Sequence, residues 1–98
     1  MKKQYLLLII ITGLLALSFS CKKNGTGYKT LIITGQNNHN WRASSPVLKQ
    51  ILDETGMFSS EIINTPDKGG DMTTFNPDFS KYRLVVLDYN GDSWSDKT

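Results

Sequence analysis

The sequence predicts an α/β fold in which short parallel strands are joined through a helix. Three apolar runs, at residues 30–34, 60–64 and 84–88, are rich in β-branched residues and bounded by turn-forming residues. The first and third runs do not alternate between apolar and polar residues, which is typical of strands buried on both faces of a parallel sheet. A helical pattern between the first two runs completes a strand–helix–strand unit, which is right-handed by the usual rule.

The first 21 residues have the pattern of a bacterial export signal. Lys2 and Lys3 give a positive start, a mostly apolar run fills residues 5–19, and small residues flank Phe19 before Cys21. The apolar run is shorter than the roughly 20 residues that a membrane span needs. Residues 17–21, Leu-Ser-Phe-Ser-Cys, resemble a lipobox, although Phe19 stands where a small residue is usual. We therefore predict a lipoprotein signal peptide at 1–21 and lipidation of Cys21, the alternatives being an ordinary signal peptide or an uncleaved anchor.

Residues 22–29 are polar and contain two glycines, so they are predicted to form a flexible tether. No acidic run of the kind that accompanies surface display of some lipoproteins follows Cys21. We accordingly expect the protein in the bacterial cell envelope, lipid-anchored to the outer membrane and facing the periplasm.

Charge argues against nucleic acid as a partner. The chain has 11 Lys and Arg residues and 9 Asp and Glu residues, and two of the lysines lie in the export signal. The remaining part is formally neutral and has no basic patch, whereas nucleic-acid binding depends on clustered positive charge.

The helix between the first two strands has clear start and stop signals. Ser45 is predicted to be the N-cap, Pro46 the first helical residue and Gly56 the stop. The predicted apolar face consists of Val47, Leu48, Ile51 and Leu52. Beyond the second strand, residues 66–77 predict a long loop, after which Phe79 and Tyr82 are expected to dock a short turn.

Residues 30–98 are predicted to be the N-terminal part of a larger, truncated domain. A buried parallel sheet needs cover on both faces, and one helix of about ten residues covers only part of one face. We therefore expect only the first strand–helix–strand unit and the third strand to be present, although a small complete domain or a partner-dependent one is the alternative.

Two polar loops are predicted to meet across one crevice. In a flavodoxin-like strand order of 2-1-3, the first and third strands are neighbours, and ligands bind at the carboxyl ends of such strands. This order would bring the loop at 35–41 opposite the loop at 88–94. Polar side chains with an aromatic rim suit a sugar-like ligand. The candidate residues are Gln36, Asn37, Asn38, His39, Trp41, Asp88, Tyr89, Asn90, Asp92 and Trp94.

His39 and Asp88 are the candidate catalytic residues, as acid/base groups or metal ligands. The alternatives are a hydrogen-bonded loop histidine and an aspartate that caps a turn. The spacing of Asp88, Asn90 and Asp92 is like the start of a calcium loop, but Ser93 occupies the place of the required glycine. Metal and cofactor are left open. The two tryptophans either stack on the ligand or pack beneath the loops.

The sequence contains no Gly-x-Gly-x-x-Gly, Walker, paired-cysteine or Gly-x-Ser-x-Gly motif. Three of its segments, LIITGQNNHNW at 31–41, SPVLKQILDETG at 45–56 and YRLVVLDYNGD at 82–92, resemble the opening of ThuA-like proteins, named for trehalose utilisation. The resemblance implies a class I glutamine amidotransferase-like fold related to flavodoxin, and a role in trehalose-type carbohydrate catabolism. It implies no defined reaction, and it carries over only His39 with its amide neighbours and the 88–92 turn as cleft residues.

Three hypotheses follow from the sequence. The first is an envelope lipoprotein that acts on a sugar or sugar derivative. The second is a non-catalytic lipoprotein that binds carbohydrate in the same crevice, with Trp94 as a stacking platform. The third is a nonfunctional gene fragment.

Overall fold

The computed structural model describes residues 27–98. It contains strand β1 at Tyr28–Thr34, helix α1 at Trp41–Glu54, strand β2 at Phe58–Asn64 and strand β3 at Leu84–Leu87. Two 3₁₀ turns, Met72–Thr74 and Phe79–Lys81, lie between β2 and β3. The predicted signal peptide, Cys21 and most of the predicted tether lie outside the described residues.

The three strands form one parallel sheet in the order β2-β1-β3. Thr30 of β1 pairs with Ser60 on one side and with Leu84 on the other. This is the predicted order, and the fold is a partial flavodoxin-like α/β fold. Since β1 is central, both of its edges are occupied, and its residues Leu31, Ile32 and Ile33 are fully buried.

The core lies mainly on the face of the sheet that carries Leu31 and Ile33. Phe75, from the loop after the first 3₁₀ turn, packs against them. Four partly buried residues complete the cluster: Ile63, Phe79, Tyr82 and Trp94. The predicted docking of Phe79 and Tyr82 before β3 is thus confirmed.

Helix α1 packs against β2 and β1. Lys49 and Asp53 tie it to β2, because Lys49 Nζ donates to the carbonyl of Ser60 at 2.5 Å and Asp53 Oδ1 accepts from the amide of Ser60 at 2.8 Å. Within residues 27–98 no helix is long and apolar enough to cross a membrane.

The predicted start of the helix is wrong. The helix begins at Trp41, with Asn40 as N-cap, and the carbonyl of Asn40 accepts from the amides of Ala43 and Ser44. Ser45 lies inside the helix, where its hydroxyl turns to a distant carboxylate instead of capping. Pro46 is therefore an interior proline, which leaves the carbonyl of Arg42 without its usual helical donor.

The helix ends close to the predicted position, but only half of the predicted apolar face is buried. The helix ends at Glu54 and Gly56 follows with a φ of 71°, a conformation that favours glycine. Leu48 and Leu52 are half-buried, but Val47 and Ile51 are exposed. The sheet beneath is too narrow to cover the full width of the predicted face.

Candidate functional site

Gln36 joins the loop that follows β1 to the loop that follows β3. Its backbone carbonyl accepts from the amide of Asn90 at 2.9 Å, and its side-chain Oε1 accepts from the amide of Asp92 at 2.8 Å. Its Nε2 donates to the carbonyl of Pro66 at 2.9 Å. A buried amide with both ends bonded to backbone has little capacity left for a ligand. Gln36 therefore connects the two loops instead of contacting a ligand.

Gly91 lies directly against the side chain of Gln36. A Cβ at position 91 would overlap the side chain of Gln36. The close approach therefore requires glycine for space, since its φ is not in the left-handed region.

Asp88 is the centre of a hydrogen-bond cluster at the end of β3. The residue is 7% exposed. Its Oδ1 accepts from Nε2 of His39 at 2.9 Å and from Nδ2 of Asn37 at 3.4 Å. Its Oδ2 accepts from the hydroxyls of Ser44 at 2.8 Å and Ser45 at 2.7 Å. The carboxylate therefore links the loop after β1, the first turns of α1 and the end of β3.

These donors keep Asp88 ionised. Burial alone would raise the pKa of the Asp88 carboxyl, but the hydrogen bonds from Ser45, Ser44 and His39 outweigh it and hold the pKa below its ordinary value. A carboxylate with a lowered pKa and four donors is a weak proton acceptor. It is better suited to positioning His39 than to abstracting a proton itself.

The protons of the cluster fix which nitrogen of His39 is protonated. The single hydroxyl proton of Ser44 is used in the bond to Asp88, so towards Nε2 of His39, 3.2 Å away, the Ser44 oxygen must accept. Nε2 of His39 then carries the proton and donates it to both Asp88 and Ser44. In neutral His39 the lone pair is therefore on Nδ1, and the side chain is 51% exposed.

The same geometry excludes a Ser-His-Asp triad built from Ser44. In a triad the aspartate and the serine contact different ring nitrogens, and the serine donates its proton to the histidine. Here both contact Nε2, and Ser44 donates to Asp88.

A cleft of about 540 Å³ opens beside this cluster. Its lining comes from the loops after β1, β2 and β3 and from the start of α1: Gly35, Gln36, Asn37, Asn38, Trp41, Arg42, Asp67, Lys68, Asn90, Gly91 and Asp92. The two predicted loops thus meet as expected. His39 and Asp88 do not line the cleft, but Asn37 both lines it and contacts Asp88.

Sequence reasoning missed Arg42, Asp67 and Lys68. Asp67 and Lys68 lie in the loop after β2, and that loop reaches the cleft because Asp92 Oδ2 accepts from the amide of Gly69 at 2.7 Å. A signal was available, since β2 is parallel to β1 and its carboxyl end lies at the same edge of the sheet.

The candidate aromatic residues separate into two groups. Trp41 lines the cleft, and the Arg42 guanidinium lies 4.2 Å from its ring centroid. Trp94 packs among Phe75, Phe79 and Tyr89, with ring centroids 5.3, 6.2 and 5.9 Å away. Trp94 and Tyr89 border a separate, more open depression of about 400 Å³.

Tyr89 stabilises the loop that follows β3. Its hydroxyl donates to the carbonyl of Asp92, and burial raises the pKa of the Tyr89 phenol. Neither Tyr89 nor Trp94 lines the main cleft. Both affect the cleft only by packing within the loop that follows β3. Among residues 27–98 there is no group of three or more His, Cys, Asp or Glu side chains arranged to hold a metal ion.

Comparison with known proteins gives one informative match. A protein of known structure from Parabacteroides merdae ATCC 43184, described as ThuA-like, is 57% identical to this chain with a TM-score of 0.71. This chain is similar to a ThuA-like protein. The similarity covers 74% of this chain but 26% of the ThuA-like neighbour, so the chain spans about a quarter of that protein's length. No protein-family model and no curated protein matches the chain.

Proposed function

We propose that the chain is part of a ThuA-like lipoprotein of the bacterial envelope that binds a sugar or sugar derivative in the cleft beside Asp88. The observation that carries the proposal is the convergence of three polar loops on one cleft of about 540 Å³. This volume is within the range of small-molecule sites, and the lining is unusually polar for one. A polyhydroxylated ligand matches such a lining.

The exposed amides are the best candidates for recognising hydroxyl groups. Asn38 and Asn90 line the cleft, and each amide side chain offers both donors and an acceptor. Asp67 and Lys68 add one charge of each sign. Trp41 can present only one ring face to a ligand, because the Arg42 guanidinium covers the other.

Calorimetric titration of the full chain with mono- and disaccharides and their oxidised derivatives tests the proposal. The detergent used should have no sugar headgroup. We expect at least one ligand to bind, and Asn90→Ala to weaken its Kd by about fivefold, since a lost hydrogen bond is worth roughly 1 kcal/mol.

Ser93→Ala is the matched control, because Ser93 is exposed in the same loop but does not line the cleft. It should leave the Kd unchanged. Absence of any sugar binding, or equal effects of the two substitutions, would contradict the proposal.

The state of His39 favours catalysis as a second candidate function, which requires the ligand to extend beyond the cleft lining to His39. A histidine whose Nε2–H is held by a carboxylate presents Nδ1 as a base of fixed orientation. If the bound sugar is turned over, His39→Ala should lower kcat by about a hundredfold or more while ligand binding is retained. Unchanged turnover in this variant would exclude His39 as the acid/base group and leave the binding function standing.

A further inference from the structure

The edge of the sheet opposite the cleft, where the strands begin, has a distinct surface. Backbone hydrogen bonds hold it together: the amide of Tyr28 donates to the carbonyl of Met57 at 2.8 Å, and the amide of Arg83 donates to the carbonyl of Lys29 at 2.8 Å. We call the surface formed by Tyr28, Lys29, Met57 and Arg83 the amino-terminal edge.

This edge combines exposed apolar groups with cationic ones. Tyr28 is 58% exposed and Met57 is 57% exposed. The Arg83 guanidinium lies 5.4 Å from the centroid of the Tyr28 ring, beside a shallow groove of about 270 Å³. Tyrosine and arginine at one surface are typical of residues that lie at the headgroup level of a membrane.

The cations of the edge have no ion-pair partner in the part of the chain that the structure describes. Neither Lys29 nor Arg83 forms an ion pair with any residue between 27 and 98. The acidic residues that come close in sequence have other partners, since Glu54 accepts from Gln50 and Asp78 pairs with Lys81.

The predicted anchor would bring this edge to the bilayer. Cys21 precedes Gly27 by six residues, and six extended residues reach at most about 20 Å. Two of the intervening residues are Lys22 and Lys23. β1 begins directly after Gly27, so its first residues are the part of the domain closest to the anchor along the chain.

We infer that the amino-terminal edge lies on an anionic phospholipid surface, with the cleft directed away from the membrane. The inference rests on the proposed lipid anchor at Cys21. Each cation near an anionic bilayer is attracted to it, and the attraction falls off over a Debye length. Lys29 and Arg83, which lie in the domain itself, therefore favour one orientation of a domain that is already tethered, and Lys22 and Lys23 add attraction close to the anchor.

Fluorescence quenching in vesicles tests this orientation. The full chain, purified with its anchor, carries a bimane label at Met57→Cys on the amino-terminal edge or at Ser93→Cys near the cleft. Lipidation uses the sulfur of Cys21, so the introduced cysteine is the only free thiol. In phosphatidylglycerol vesicles with nitroxide headgroup lipids, we expect the label at 57 to be quenched at least twofold more than the label at 93.

The charge dependence supplies a matched pair of variants. Lys29→Glu with Arg83→Glu should reduce quenching at position 57 by about half, whereas Lys68→Glu with Lys97→Glu, which reverses as many charges elsewhere, should leave it unchanged. Phosphatidylcholine vesicles and high salt should each reduce quenching of the label at 57 without any substitution.

The mass of the same preparation separates the two ideas. An unmodified Cys21 would overturn the anchor and the orientation together. An acylated Cys21 with equal quenching at positions 57 and 93, or with quenching at 57 that is indifferent to lipid charge, would overturn the orientation alone.

Discussion

At the scale of single residues, Asp88 explains most of the site. The sequence identifies Asp88 and His39 as candidates but does not indicate that Ser44 and Ser45 complete the cluster, because Ser45 is predicted to be a helix cap and Ser44 carries no local signal. Four donors around one buried carboxylate make the charged form part of the folded state. Asp88 is therefore as much a structural residue as a site residue.

Asp88 should make the free energy of unfolding depend on pH. The pKa of Asp88 in the folded chain is lower than its ordinary value, so its contribution to stability is present above about pH 4 and is lost as the pH falls through the folded pKa. Urea unfolding followed by circular dichroism between pH 3 and pH 7 measures this. Asp88→Asn should unfold more easily at pH 7 and lose less stability than wild type on acidification. Parallel pH profiles for the two proteins would refute the assignment.

His39 should be protonated on Nε2 in its neutral form. The chain has one histidine, so a long-range ¹⁵N–¹H correlation spectrum reports this residue without assignment work. We expect the Nδ1 resonance to have the shift of an unprotonated nitrogen. Asp88→Asn should weaken the preference for protonated Nε2, since the neutral amide oxygen of asparagine is a weaker acceptor than the carboxylate of Asp88. A spectrum with the proton mainly on Nδ1 would remove the basis for His39 as a base.

At the scale of elements, the strands could be predicted from the sequence, but the start of the helix could not. Continuous apolar runs located the strands, and the order β2-β1-β3 followed from fold rules. The predicted burial on both faces holds for β1 but is wrong for β3, where Val85 and Leu87 are exposed because no element of residues 27–98 covers that face. Ser45 is different, because its hydroxyl is bonded to Asp88, 43 residues away in the chain. A capping pattern is a local signal, and no local signal reveals a partner on β3. Likewise, the exposure of Val47 and Ile51 depends on how far the sheet extends beneath the helix.

The loop contact between Gln36 and Gly91 should be energetically coupled. Gly91→Ala introduces a methyl group into the space of the Gln36 side chain, and overpacking of this kind costs roughly 1–3 kcal/mol. In a Gln36→Gly background the same substitution should cost much less, because the whole obstructing side chain, including its Cβ, is gone. A double-mutant cycle from urea unfolding measures the difference. Ser93→Ala is the control for general loop disturbance, and additive effects of the substitutions at 36 and 91 would show that the contact is not made.

At the scale of the whole molecule, the direction of the strands determines which surfaces face which surroundings. All three strands run parallel, so every strand start lies at the amino-terminal edge and every following loop at the cleft edge. The sequence predicted this polarity and the two loops that meet. It did not predict that Trp94 joins the core cluster and Trp41 the cleft, because an aromatic residue in a loop has the same local pattern in either role.

The polarity also determines how the cleft faces the membrane if the chain is anchored, and the mass of the mature protein tests the predicted anchor at Cys21. We expect residues 21–98 plus a diacylglycerol and an amide-linked acyl chain, and we expect Cys21→Ser to lose incorporation of labelled palmitate while Ser20→Ala keeps it. Several acyl chains at about 0.8 kcal/mol per buried methylene make release from the membrane negligible. An unmodified chain that begins near Cys21 would indicate an ordinary signal peptide, and the mass of all 98 residues would indicate an uncleaved anchor. The first outcome would free the cleft from the membrane altogether, whereas the second would keep the tether and change only the chemistry that holds it.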